Sequence, residues 1–238
     1  MTALAENLEG LEAAIAQACR RAGRERGEVE LMAVSKTYSA ATVAEAASLG
    51  LRLFGENRVQ EFAAKSAELM QLAQPIRVHL IGHLQSNKAQ RAAELFGAVD
   101  SLDSLRLAER LNEAAEKLGK RLPVLVEVKL SSEASKAGLD PDSADAAALL
   151  ERLPDLANLE MRGLMTIAPF GVPEAETRAC FRRLREGRDR WAAAYPRLSL
   201  DVLSMGMSSD FPLAIEEGAT RIRVGTRLFG PRPVLVKA

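Results

Sequence analysis

Cysteine is nearly missing from this chain: Cys19 and Cys180 are the two among 238 residues. Two thiols so far apart supply neither a disulfide framework nor a zinc site, so the sequence predicts a reducing, cytoplasmic setting with no bound metal. An excess of either charge is also lacking, with 32 Lys plus Arg against 32 Asp plus Glu. Binding a nucleic-acid backbone requires a basic stripe, which this balance excludes as a first expectation. No apolar run approaches the roughly 18 residues of a membrane span. The opening MTALAENLEG is acidic and lacks the positive segment of a secretory signal. What remains is 47% hydrophobic and 27% charged, ordinary for a globular chain with a sizeable core.

The order of elements is more informative. Leu4, Leu8, Leu11, Ile15 and Ala18 make one stripe of a helix over Thr2 to Ala22, with Thr2 as cap and Gly23 beyond the end. Short apolar runs then recur near Val29–Ser35, Leu51–Phe54, Val78–Ile81, Ala98–Leu102, Val124–Leu130, Met161–Met165, Leu200–Ser204 and Ile222–Gly225. Between them lie helix-length stretches, clearest over Val59 to Met70, Leu105 to Leu118 and Thr177 to Tyr195. Eight strands joined by helical crossovers imply a parallel sheet, and eight is the number that closes a barrel. A doubly wound open sheet is the competitor, but a glycine-rich first turn is missing after Val34. The expectation is one α/β domain over residues 1–238, a (β/α)8 TIM barrel preceded by an extra helix.

Such barrels work at the carboxy-terminal ends of their strands. VELMAVSKTYS ends the first strand on Lys36, on the same face as Met32 and Val34. Facing inward, its amine would be desolvated and nucleophilic toward an aldehyde; facing outward, it would be a solvated or ion-paired surface group. The last two strand ends carry SMGMSSDFP and RIRVGTRLFG. There Gly206 and Gly225 allow backbone amides to approach an anion, and Ser208 or Ser209 can cap the following helix. Either turn alone is an ordinary turn, but together they suggest a phosphate site. Arg223 would point inward with Gly225, while Arg221 reads as a buried arginine paired with an acidic neighbour. An aldehyde-accepting lysine, a phosphate cradle and an inward arginine suit pyridoxal 5′-phosphate.

The blocks AVSKTYS, FGENRVQEF, HLIGHLQSNKAQ, SSEASKAGL, RGLMTI, SMGMSSDF and RIRVGTRLFG, in order from Val29 to Gly230, resemble the pyridoxal phosphate homeostasis protein family. The resemblance implies the barrel domain of alanine racemase without its β-rich second domain. It implies that Lys36 carries the cofactor as a Schiff base, that Ser208, Gly225 and Thr226 contact the phosphate, and that Arg223 meets the pyridine nitrogen. Asn57 and His79 fall in matching blocks and are expected at the ends of the second and third strands as further cofactor-binding residues, Asn57 lining the ring or its 3′-oxygen and His79 near the ring. For His79 a hydrogen-bonded core position is the competing reading. Met165, Met205 and Met207 read as packing, and Lys88 as helix surface or phosphate-side support. Lys129 departs from the pattern, since many members carry Asn there. It could pair with Glu127 or compete with Lys36 as the amine, and Lys136 is a weaker rival.

An amino-acid racemase needs two acid–base groups on opposite faces of its cofactor. Lys36 supplies one. Tyr195 lies late in a helix away from the working face, which leaves Tyr38 and His83 as the possible second group. A cation beside the pyridine nitrogen also weakens the ring as an electron sink. The expected function is therefore a monomeric, non-catalytic holder of pyridoxal phosphate that keeps the free aldehyde low and serves apo-enzymes as recipients. This would bear indirectly on amino- and keto-acid balance. A small racemase, and a Schiff-base aldolase acting on a phosphorylated sugar, are the alternatives.

Overall fold

The computed structural model describes residues 2–130 and 137–231. Eight strands alternate with helices: β1 (Glu30–Val34), β2 (Leu53–Glu56), β3 (Arg77–Leu80), β4 (Ala98–Leu102), β5 (Leu122–Glu127), β6 (Leu159–Met165), β7 (Val202–Ser204) and β8 (Arg221–Val224). The helices are α1 (Ala3–Arg21), α2 (Ala40–Ser48), α3 (Val59–Leu69), α4 (Ala89–Leu95), α5 (Leu105–Lys117), α6 (Ala144–Arg152), α7 (Glu174–Ala194), α8 (Phe211–Glu216) and α9 (Thr226–Phe229). Each strand pairs in parallel with the next, and β8 pairs in parallel with β1, so the sheet is a closed (β/α)8 barrel and not an open one.

Local chemistry starts the helices where the sequence places them. Thr2, Ser39, Ser104 and Ser143 each accept a backbone N–H from three residues ahead, at 3.2–3.3 Å. That bond satisfies one of the donors a helix start leaves unpaired. Gly23 follows α1 at φ 66, a conformation glycine adopts without steric cost. The extra helix α1 packs on α8 and α9. Asn7 donates to Leu228 O at 3.0 Å and Arg21 pairs with Glu216 at 2.6 Å, tying its two ends to the last elements.

Alternation along the strands divides the barrel into two environments. Phe54, Leu80, Val99, Val124, Leu203 and Ile222 face outward into one apolar cluster with the helices, where Leu111, Phe181 and Phe211 are fully buried. Each such side chain contributes roughly 1.5–3 kcal/mol by leaving water. Inside, the apolar filling is limited to a small cluster of Met32, Val34, Leu53 and Ile81. The remaining interior is largely polar, with His79, Asp100, Glu127, Arg221 and Arg223 buried there, while Glu56, on the same face as Phe54, is buried against α3.

The fifth strand stops sooner than its apolar run suggests. It ends at Glu127; Val128 and Leu139 then form an isolated bridge, so Lys129 lies past the strand end. Lys136 falls outside the described residues. Between β6 and β7 the backbones come very close at Gly163, whose φ is 153 and where a Cβ would lie 1.9 Å from Val202 O. Gly163→Ala must push these strands apart. We expect it to cost about 3 kcal/mol or more, read as a lowered urea midpoint with circular dichroism as the probe.

Candidate functional site

The register of β1 and β8 sets Met32 opposite Arg223 and Ala33 opposite Val224. One step on, Gly225 lies against Val34, and a Cβ on it would meet Val34 O at 3.3 Å. The end of β8 therefore borders the turn that carries Lys36. Lys36 is half-buried and lines an open pocket of about 810 Å³ together with Thr37, Tyr38, Asn57, Arg58, Glu61 and Lys65. Asn57, immediately after β2, is shared with a second pocket of about 250 Å³ that reaches Gly82, His83, Glu127 and Lys129. Gly82 is required at that edge, because a Cβ there would lie 2.3 Å from Asn57 O.

The turn bearing Lys36 is strained and braced. Thr37 has φ 71, costly for a β-branched residue. Its N–H donates to the Glu61 carboxylate. Lys65, one turn further along α3, donates to Ser35 O at 3.0 Å and Tyr38 O at 2.9 Å, and pairs with Glu56 Oε1 at 2.7 Å. Ser35 Oγ donates to the same Glu56 oxygen at 2.5 Å. Burial pushes the Glu56 carboxyl above its ordinary value, against the pull of Lys65. The sequence reading passed over Lys65, although its place three residues after Phe62 on the α3 stripe was the available signal.

The last two loops join through Ser208. Its hydroxyl oxygen accepts from Gly225 N at 3.3 Å and Arg227 N at 3.4 Å, so two backbone amides from the start of α9 converge on one oxygen. Neither Ser208 nor Ser209 caps the next helix; Asp210 occupies that position, and its carboxylate accepts from Met207 N at 2.5 Å. The cap expected of the serines is thus corrected, because the Ser208 hydroxyl is drawn across to the neighbouring loop. Gly206, at φ 91, lets this loop press on α8, where a Cβ would meet Ala214 Cβ at 2.5 Å. Ser208 and Gly225 are half-buried and Thr226 exposed, so the cradle is reachable from solvent.

Arg223 is buried and fixed by three hydrogen bonds, donating to Ser204 O at 2.7 Å, Ser204 Oγ at 2.9 Å and Thr166 O at 2.8 Å. Burial lowers the pKa of its guanidinium, while Asp100 and Glu127 act in the opposite sense. Arg221 pairs with Glu30 at 2.9 Å and Asp100 at 3.1 Å, as its sequence reading anticipated. His79 sits with that pair rather than with Lys36. Its Nδ1 is 3.1 Å from Asp100 Oδ1, and it lines a cavity of about 390 Å³ among strand starts, with Arg77 and Arg162. It is one residue short of the end of β3, which places it deeper than Asn57.

The candidates for a second acid–base group separate clearly. Tyr38 donates its hydroxyl to Gly230 O at 2.7 Å and stacks on Phe229 with ring centres 4.8 Å apart. Tyr195 ends α7, at the opposite end of the barrel from the strand ends. His83 is largely exposed, pairs with Asp103 at 2.9 Å, and faces the pocket that holds Glu127. Lys88 is half-buried at the start of α4, Met165 and Met205 are fully buried, and Met207 is partly so.

Lys129 does not hold Glu127, whose Oε2 has no hydrogen-bond partner among the described residues. Burial raises the Glu127 carboxyl to about 7, with Arg223 opposing and Asp103 reinforcing the rise.

Comparison with known proteins matches this geometry. The sequence profile described as alanine racemase, N-terminal domain, covers residues 7–233, so the chain is a barrel of that class. It is 46% identical over 232 residues to the pyridoxal phosphate homeostasis protein of Pseudomonas aeruginosa, spanning 98% of this chain and 97% of that one. The Escherichia coli K12 protein of the same name is 39% identical over 98% of both chains. The chain belongs to the pyridoxal phosphate homeostasis protein family. Among solved structures, PipY of Synechococcus elongatus PCC7942 with pyridoxal phosphate bound superposes with a TM-score of 0.85 at 46% identity, over 95% of this chain and all of PipY. Alanine racemase of Clostridium difficile 630 shares the fold alone, with TM-score 0.70, 17% identity and 57% of its length matched.

The Glu127 site makes a pH-dependent prediction. Because its folded pKa exceeds the ordinary 4.5, the folded chain holds more protons than the unfolded one between pH 4.5 and about 7, and stability falls as pH rises through that window. Glu127→Gln removes the ionised form. The variant should be more stable at pH 8 by up to about 3 kcal/mol, with the gain shrinking toward pH 5. Thermal melts across that range check it; a gain independent of pH would show that the charge is not the cause.

Proposed function

We propose that this chain binds pyridoxal 5′-phosphate reversibly through Lys36 and serves its homeostasis as a holder rather than a catalyst. The observation that carries the reading is the meeting of the Lys36 turn with the end of β8, beside the two amides gathered by Ser208. The residues present fit this group. A phosphate oxygen is a stronger acceptor than a serine hydroxyl, and the Gly225 and Arg227 amides already converge on one oxygen position. The wide, open pocket at Lys36 leaves room for a substituted ring, and Arg223, two residues before Gly225, is fixed in the interior by Ser204 and Thr166. When bound, the cofactor supplies an aldehyde that condenses with a primary amine and releases water.

In this reading Lys36 provides the amine, Ser208, Gly225 and Thr226 bind the phosphate, and Arg223 faces the ring nitrogen. Asn57 lies at the rim and orients the ring. His79 contributes through the interior charge network. The chain acts as one domain over residues 1–238, as a monomer in the cytoplasm, with apo-enzymes as recipients. Non-catalysis is supported by the fate of the two tyrosines, since Tyr38 donates to Gly230 and Tyr195 lies at the wrong end; His83, paired with Asp103, is the one candidate that faces the pocket of Glu127. A guanidinium at the ring nitrogen also keeps that nitrogen unprotonated, which disfavours proton abstraction from a bound amino acid.

Reduction with borohydride followed by peptide mass spectrometry should find the cofactor on Lys36, and Lys36→Ala should abolish that adduct. Full occupancy in the variant would transfer the role to Lys129 or Lys136. Arg223→Ala should still bind the cofactor but with shifted visible absorbance; an unchanged spectrum would place Arg223 away from the ring. Deuterium exchange at the α-carbon of added alanine or serine should stay at background, and Lys36-dependent exchange would favour the racemase reading.

A further inference from the structure

The brace behind Lys36 contains a charge pair that the binding role leaves unused. Lys65 and Glu56 are 2.7 Å apart, with Lys65 9% exposed and Glu56 fully buried. Lys65 Nζ also touches the carbonyls of Ser35 and Tyr38, which flank Lys36 on either side in the chain. Ser35 O belongs to the peptide bond that leads into Lys36. The two lysines line the same pocket. Glu56 sits behind, held by Ser35 Oγ, and its Oε2 has no partner among the described residues. Carboxylates touch the turn as well, Glu56 at the Ser35 hydroxyl and Glu61 at the Thr37 N–H, but the Lys65 ammonium is the group bonded to it on both sides of Lys36.

A buried cation beside a second amine disfavours protonation of that amine, and it does so more strongly in a dry site than in water. Only the unprotonated amine adds to an aldehyde. We propose that Lys65 is a tuning residue, whose ammonium keeps the Lys36 amine in its uncharged, nucleophilic form near neutral pH. The proton leaves Lys36 for bulk water through the open pocket. The nitrogen's freed electron pair is then available for the new bond to the aldehyde carbon. This rests on Lys36 being the amine that takes the aldehyde.

The charged and titratable groups around this spot come from several elements. The turn brings Lys36 and Tyr38, β2 brings Glu56, and the start of α3 brings Arg58, Glu61 and Lys65. Helices α2 and α4 pack on α3; their charged residues Glu45, Arg91 and Glu94 do not line this pocket, and the last two pair with each other at 2.9 Å. From the barrel interior come Arg223 and Glu127. Lys65 is the group whose nitrogen bonds the turn on both sides of Lys36.

The test reads Lys36 without the cofactor. Lysines are reductively methylated with ¹³C-formaldehyde, and the Lys36 signal is assigned by its loss in Lys36→Arg and then titrated by NMR. In the parent the Lys36 midpoint should lie below that of the exposed lysines. Lys65→Gln and Lys65→Met should raise it by about one pH unit or more, whereas Lys65→Arg, which keeps the charge, should leave it near the parent value. A role limited to hydrogen bonding predicts the reverse ranking, with Gln preserved best. The proposal is overturned if Arg shifts with Gln and Met, or if none shifts. If Met does not fold, Gln and Arg still decide. Borohydride trapping on the parent is scored separately: absence of an adduct at Lys36 would defeat the binding role and leave the titration result standing.

Discussion

The pairing of β1 with β8 is the constraint on which the site depends. Residues some 190 positions apart in sequence become neighbours only because the first and last strands share a register, with Met32 opposite Arg223. A slip of one residue in that pairing would turn Arg223 away from the face that Met32 occupies, since side chains alternate along a strand. The Lys36 turn and the loop gathered by Ser208 are thus brought together by a single interface, and the loops add detail to a geometry that closure has already set.

That closure encloses a costly interior. Several inward positions hold charge, and the arginines among them are held by specific partners: Arg221 by Glu30 and Asp100, Arg223 by Ser204 and the Thr166 carbonyl. Asp100 remains ionised despite complete burial, because His79, Arg221 and Arg223 outweigh its desolvation. Removing one member would leave its partner as an uncompensated buried charge, which costs more than the pair itself stabilises. Two buried carboxylates fall short of full pairing, Glu56 and Glu127, and both lie near the carboxy-terminal mouth. The lower half of the interior is therefore structural, while the unsatisfied polar capacity is concentrated where a ligand enters.

Much of this was legible in the sequence. The eight apolar runs and their alternation gave the barrel, and the Thr2 cap and Gly23 bounded α1. These features depend on local periodicity, which one chain records directly. What escaped depends on contacts between distant segments. Ser208 had the composition of a helix cap but bonds to amides seventeen and nineteen residues away. The Asp100 partner of His79 comes from another strand, which no local pattern could name, although its hydrogen-bonded core position was one of the two readings. The Glu56 partner of Lys65 also comes from another element. A run of apolar residues likewise continued past Glu127 although the strand did not.

The seat of α1 against α8 and α9 has a consequence for how the chain is made. Its apolar stripe, Leu4, Leu11, Ile15, Ala18 and Cys19, is translated well before residues 211–229, which cover it. Until those residues are made, that surface stays wet. The pairing of β1 with β8 likewise has to wait for β8, so the mouth that both strands border cannot take shape co-translationally before residue 225.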